Sequence, residues 1–253
     1  MSIILQKADL WKRTAAWLFD SILLGMLAVG LGVVLSALLG YDAYSSRVDQ
    51  AYATYEAQYG ITFQLTQEEY LAMDEEALAN YDAAYEALIA DTEAMAAYSM
   101  MLNLTLVILS LAILLAVMIL EWLVPLRFGN GQTLGKKIFS LCVIRSDGVR
   151  MNNMQLFTRS ILGKYTIETM IPVLIILMIF WGTMGVAGTF VLSLLAAVQL
   201  ACLIFTKTNS AIHDLMAGTV VADYSSQTIF RSTEDLIAHK KRVAAERAAR
   251  ATY

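Results

Sequence analysis

The chain has 253 residues, a net charge of −4, and a composition that is 58% hydrophobic and only 16% charged. Its mean hydropathy of +0.59 is that of a membrane protein, while two distant cysteines (Cys142, Cys202) and two histidines (His213, His239) give no disulfide framework and no zinc site. There is no phosphate-cradling glycine loop and no Ser/His/Asp constellation, so no enzyme, cofactor or metal is expected.

Four apolar runs approach or reach the roughly 20 residues that a spanning helix needs, at 17–39, 102–126, 167–181 and 185–205. The expected fold class is an all-α integral membrane protein: four transmembrane helices with an extracytoplasmic helical hairpin inserted between helices 1 and 2. The first run is too long for the h-region of a cleaved signal peptide and reads as a retained signal anchor. Residues 1–40 form the cytoplasmic N-terminus and first span. From residue 15 to 40 Asp20 is the only ionisable side chain, seven residues after Arg13. A charge at such depth is disfavoured by about 3 kcal/mol and calls for a polar partner or a wet cavity. Ala28, Gly32 and Ser36 recur at every fourth position, a ladder that lets helices approach closely.

Residues 41–100 hold twelve acids against one base, Arg47, and nine of the twelve tyrosines. Tyr44, Val48, Tyr52, Tyr55 and Tyr59 make one helical stripe ending at Gly60. Thr66 and Glu69 fit a capping box. Leu78, Tyr81, Tyr85, Leu88 and Met95 make a second stripe, from which helix is expected to continue into the second span. These stripes predict an antiparallel hairpin. Residues 101–126 form the second span, with Glu121 near its end. Residues 127–166 read as a cytoplasmic loop: 138–144 is rich in β-branched and aromatic residues, Ser146, Asp147 and Gly148 signal a turn, and a short interfacial amphipathic helix opens at Asn153. Residues 167–206 form the hairpin of spans three and four, with Glu168 at its start and a second small-residue ladder at Gly185, Thr189, Ser193, Ala197 and Ala201. Residues 207–253 carry His213-Asp214 and a basic helical tail over 232–251. The bases lie before the first span, between the second and third, and after the fourth, so both termini are expected in the cytoplasm of a multi-pass cell-membrane protein. Those bases suit anionic headgroups at the cytoplasmic face rather than nucleic acid.

At 1.5 Å per residue, Asp20, Glu121 and Glu168 come to similar depth, roughly 6–10 Å inside one boundary. Arg13, Lys136, Lys137 and Arg159 are the candidate counter-charges. Pro172 has no N–H to give to the Glu168 carbonyl, which leaves that oxygen free near the acids.

These residues resemble the RDD family of small membrane proteins, which is named for an arginine and an aspartate in its first helix and a second aspartate near its end. Here they are Arg13, Asp20 and Asp214. Gly131-Gln132-Thr133-Leu134-Gly135-Lys136-Lys137 with Asp147-Gly148 looks like the family's central loop. The resemblance covers roughly 7–40 and 101–224; the insert 41–100 and the basic tail depart from it. It implies transport of an unidentified ligand, with sodium/proton exchange proposed for some members. Two functional expectations follow. One is a transport-related protein with Asp20 and Glu121 as exchangeable carboxylates. The other is a non-transporting scaffold or accessory subunit, in which paired charges lock helix packing and the outer hairpin engages a membrane or envelope protein. A homo-oligomer is compatible with either.

Overall fold

Backbone polar groups in lipid must be satisfied within their own segment, so the long apolar runs fold as helices. The computed structural model describes residues 5–251. In chain order it holds α1 (Leu10–Leu39), α2 (Tyr41–Tyr59), α3 (Gln67–Leu71), α4 (Glu75–Ala90), α5 (Thr92–Val117), a π-helical segment (Met118–Leu123), α6 (Val124–Phe128), α7 (Leu134–Ile138) and β1 (Leu141–Arg145). Then come α8 (Asn153–Phe157), a second π-helical segment (Thr158–Met170), α9 (Ile171–Phe180), α10 (Gly185–Phe205), α11 (Ile212–Ala217), β2 (Thr219–Asp223) and α12 (Thr233–Ala251). Four continuous helices are long and apolar enough to cross a membrane: Leu10–Leu39, Thr92–Phe128, Asn153–Phe180 and Gly185–Phe205. The chain divides into two compact units, Met1–Ala28 with Ile113–Tyr253, and Val29–Ala112.

In the second of these units, Gly60 adopts φ +63° and closes α2, as a left-handed glycine cap does. The Thr66–Glu69 capping box opens α3. Tyr59 near the start of α4 (its carbonyl accepts from the Asn80 amide at 2.6 Å) and Tyr55 near its end (bonded to Asp91 at 3.2 Å) make α2 and α4 antiparallel. Tyr52, Phe63, Tyr81 and Tyr70 meet edge-to-face between them. Helix does not run unbroken into the second span. Asp91 is extended, ends α4, and caps α5 by accepting from the N–H groups of Glu93 and Ala94. Ala84 and Leu88 are the buried face of α4, and Tyr85 is exposed.

The other unit departs from the all-α expectation. β1 and β2 pair antiparallel, with Val143 opposite Val221. The apolar character of 138–144 marked the first strand; β2, Thr219-Val220-Val221-Ala222-Asp223, directly follows the Gly218 cap of α11. Both faces of this small sheet are covered. Leu141, Val143 and Val221 pack with Ala8 and Ala16, while Cys142, Ile144, Val220 and Ala222 pack with Leu5 and Ile229. The sheet thereby anchors the foot of α1.

Two further differences concern the helices. The segment from Asn153 is not a separate interfacial helix: it continues through the π-helical turns into the third span, with Arg159 and Ser160 buried. In α10 the ladder positions Gly185, Thr189, Ser193 and Ala197 are exposed. The tight contact to α9 is at Gly188, where an added methyl would lie 2.6 Å from Ile179 Cγ1.

Candidate functional site

The loop between α6 and α7 is built to receive Asp20. Gly131 takes φ +64°, and a methyl there would lie 2.8 Å from the Val143 carbonyl oxygen. The buried Gln132 amide donates to the Leu141 carbonyl at 2.7 Å, which fixes the loop to β1. Thr133 then caps α7, and its hydroxyl donates to Asp20 Oδ2 at 2.5 Å. The Gly135 N–H donates to Asp20 Oδ1 at 2.7 Å. A methyl at Gly135 would lie 2.4 Å from the Ala16 carbonyl oxygen and 2.9 Å from Asp20 Oδ1, so only glycine admits α1 this closely. Lys136 Nζ stands 3.7 Å from Asp20 Oδ2 and bonds to the Thr133 hydroxyl at 3.1 Å. Burial, reinforced by the charges of Lys164 and Arg159, pulls the Lys136 ammonium down to about 8 against the opposing pull of Glu121 and Asp20. Lys137 lies apart, exposed, with its ammonium 3.8 Å from the centre of the Phe128 ring.

The second and third spans contribute the glutamates, and the chain's two prolines each lie four residues beyond one of them: Pro125 after Glu121, Pro172 after Glu168. Each proline removes the N–H that would meet the glutamate's own carbonyl. The Ser160 hydroxyl takes over at the first, donating to the Glu121 carbonyl at 2.6 Å. Both glutamates sit in π-helical segments. Lys164 Nζ meets Glu121 Oε1 at 2.6 Å. Glu168 accepts the His213 N–H at 3.0 Å and faces His213 Nδ1 at 2.7 Å.

Asp214 forms the third part. Its carboxylate meets Arg159 Nη1 at 2.7 Å and Arg13 Nη2 at 3.8 Å, and accepts from Thr219 Oγ1 at 3.3 Å. Burial pushes this carboxyl up, but the Arg159 and Arg13 guanidinium groups prevail and hold it at about 2. Arg159 Nη2 also lies 3.0 Å from His213 Nε2. With a guanidinium donor at Nε2 and a carboxylate at Nδ1, the ring is the neutral tautomer protonated on Nδ1. Burial and the Arg159 charge accordingly press His213 below its ordinary value, despite the opposing pull of Asp214 and Glu168. Gly163 permits this approach, since a methyl there would lie 2.5 Å from His213 Cβ.

Asp20, Glu121, Glu168 and Asp214 thus come together with Arg13, Lys136, Arg159 and Lys164 around one cavity of about 780 Å³. Four carboxylates face four cations, a balanced set with His213 neutral. The remaining walls are apolar, among them Trp17, Leu24, Leu192, Leu195 and Leu203. Arg13 and Arg159 pair with Asp214 rather than with the acids of the long apolar helices, and Lys164 and His213 take the roles that sequence reasoning left unassigned. Lys164 had a signal: Arg159, Lys164 and Glu168 step by five and four, the spacing of one face of a π-helical turn. A sequence model of the RDD family matches residues 7–218. No curated protein and no solved structure matches the chain.

Proposed function

Because the chain belongs to the RDD family, we propose that it is a non-enzymatic, transport-related multi-pass membrane protein in which Asp20 exchanges the Lys136 ammonium for an incoming cation. The pairing of Asp20 carries this reading. Among the described residues its direct partners are a hydroxyl and a backbone N–H, and the cation paired with it, Lys136, stands off at 3.7 Å on the edge of a cavity. A lysine that gives up its proton near pH 8 leaves that carboxylate to a monovalent cation, one positive charge replacing another. The Glu121–Lys164 pair lines the same cavity and offers a second exchangeable carboxylate. Positively charged segments stay in the cytoplasm, which supports cytoplasmic termini, an outer acidic hairpin, and a carboxylate cluster in the cytoplasmic leaflet. Counterflow of sodium and protons in vesicles carrying the purified protein tests the proposal. Flux is expected to fall at least tenfold in Asp20→Asn and in Glu121→Gln; undiminished flux in both variants rejects it.

A second reading has its own support. Arg13, Asp214, Arg159, His213 and Glu168 form a continuous chain of contacts, as expected of a network that fixes packing. On that reading the protein is a scaffold or accessory subunit, acting as an oligomer or through a membrane or envelope partner bound by the hairpin. Deletion of 44–98 separates the two. A phenotype lost while flux persists selects the scaffold.

A further inference from the structure

Outside the carboxylate cavity, one cleft gathers cations without acids. Phe230 N–H donates to the Gly148 carbonyl at 3.1 Å, and Arg150 N–H donates to the Phe230 carbonyl at 2.9 Å. These bonds form a parallel bridge between Val149 and Phe230. Arg150 and Arg231 each directly follow a residue of this isolated bridge, and both line the same cleft. Like charges placed side by side repel, and no salt bridge among the described residues offsets these two. Among the described residues neither guanidinium has an acidic partner. Asp147 is paired with Arg145 at 2.7 Å, Asp223 is taken by Lys12 and by the Ser225 and Ser226 hydroxyls, and Glu234 is bonded to Ser232.

Both arginines line a cleft of about 350 Å³ together with Asn130, Tyr224 and Gln227, and no carboxylate among the described residues lines it. The cleft offers donors. The Asn130 amide donates to the Tyr224 hydroxyl oxygen at 3.2 Å, which leaves the Tyr224 O–H to point elsewhere. The Gln227 side chain is committed to the Gln6 N–H and the Thr228 carbonyl. Two guanidinium forks and a phenol therefore face the space. Gly129, at φ +79°, makes room for one fork: a methyl there would lie 2.0 Å from Arg150 Nη2. The α6 carbonyls at that helix end offset about half a charge at most, so positive charge remains.

We infer that this cleft is a binding site for a phosphate group, held bidentately by Arg150 and Arg231. Planar guanidinium forks match phosphate oxygens in pairs, a match that lysine does not reproduce. The phosphate has two sources with the same chemistry: a lipid headgroup or a free phosphate ion. Position favours the headgroup, because Asn130 lies two residues beyond Phe128, the last residue of the second span. The inference stands independently of the transport reading.

Arginine protection tests it on the unmodified full chain. The protein in neutral detergent is treated with phenylglyoxal, and modification of each arginine is followed by mass spectrometry of its peptides. Millimolar inorganic phosphate is compared with chloride at equal ionic strength. In a second arm, vesicles of phosphatidylglycerol are compared with vesicles of a phosphate-free glycolipid. Modification of Arg150 and Arg231 is expected to slow at least fivefold in one arm or both, with Arg242 and Arg247 of the exposed tail unaffected in the phosphate arm. Protection by phosphate alone assigns the site to the free ion, and protection by phosphatidylglycerol alone assigns it to the headgroup. Equal rates in every condition, or protection by chloride as strong as by phosphate, overturn the proposal. A doubly substituted Arg150→Lys, Arg231→Lys protein keeps the charge and loses the forks. It should retain severalfold less phosphatidylglycerol through purification if the headgroup is the ligand, and need severalfold more phosphate for heat stabilisation if the ion is.

Discussion

Asp20 and Asp214 are both buried aspartates on the same cavity, and their surroundings differ in one respect that decides what each does. Asp214 is held by two guanidinium groups, Arg159 at 2.7 Å and Arg13 at 3.8 Å. Asp20 is held by neutral donors, Thr133 and Gly135, with an ammonium 3.7 Å away. A guanidinium never releases its proton in a protein, so Asp214 is permanently paired. A buried lysine does release its proton, so the charge opposite Asp20 is conditional. On the proposed reading, one aspartate is a fastening and the other a seat.

The largest test of this contrast removes each carboxylate in turn. Asp214→Ala strands the buried Arg159, and breaking a buried pair from one side costs about 3–5 kcal/mol. Asp20→Asn keeps an oxygen for Gly135 and strands only an ammonium that can deprotonate, so about 1–2 kcal/mol is expected. Thermal unfolding in detergent, read by loss of the monodisperse peak, should rank Asp214→Ala well below Asp20→Asn. Equal losses would erase the distinction between the two sites.

Glycine substitutions probe the same contrast at the backbone. A methyl at Gly163 meets His213 Cβ at 2.5 Å and its Cα at 2.8 Å, both rigidly tied to α11. A methyl at Gly135 meets the Ala16 carbonyl at 2.4 Å. Overpacking of this kind costs about 1–3 kcal/mol. Gly163→Ala should lower stability with cation exchange reduced only in proportion, whereas Gly135→Ala should abolish exchange at a comparable loss of stability, because the added methyl, 2.9 Å from Oδ1, displaces the Asp20 carboxylate from the backbone N–H at this position. Exchange surviving in Gly135→Ala would show that the seat of Asp20 is not used.

Much of this was legible in the residues. Four spans followed from hydropathy, Asp20 from its isolation in an apolar run, and Thr66, Glu69 and Gly60 from local capping rules that need no tertiary context. The depth count put Asp20, Glu121 and Glu168 at one level, and they line one cavity. Partner choice was not legible, because it depends on azimuth. Lys137 and Lys136 are adjacent in sequence, yet one stacks on Phe128 and the other faces Asp20. The π-helical turns shift the phase of the third span, which carries Arg159 inward to Asp214 and Lys164 to Glu121; a regular helix of 3.6 residues per turn gives no warning of that. β2 escaped because five residues are too few to show a period, and its pairing with β1 spans some eighty positions of chain.

Lys136 supplies the next sharpening, in function rather than stability. Its proton is released near pH 8 in the folded protein and near 10.4 in an unfolded chain. Between those values the unfolded state binds more protons, so stability rises with pH across that window. Over the same rise Asp20 loses its counter-charge, and cation uptake should increase with a midpoint near pH 8. Lys136→Arg keeps the charge at all accessible pH and should suppress uptake severalfold throughout. Lys136→Gln should take up cation with no pH dependence between 7 and 9. An unaltered profile in both variants would remove Lys136 from the exchange.

His213 gives the smallest effect and the clearest sign. The ring is buried neutral between Glu168 and Arg159, with Asp214 and Lys164 also acting on it, and its value in the folded protein lies below the ordinary 6.5. As pH falls through about 6.5 the unfolded chain gains a proton that the folded one does not, so stability is full above that value and declines below it, by at most about 1.4 kcal/mol per pH unit. A neutral amide at this position does not titrate. His213→Gln should therefore start from a lower stability, because the ring's bonds to Glu168 and Arg159 are lost, yet show a shallower decline from pH 6.5 to 5.5. The fastening at Asp214 depends on this ring staying neutral, because a second proton on His213 would point at the Arg159 guanidinium. A variant slope equal to that of the parent would place the acid sensitivity elsewhere in the cavity and leave Asp214 fastened by arginine alone.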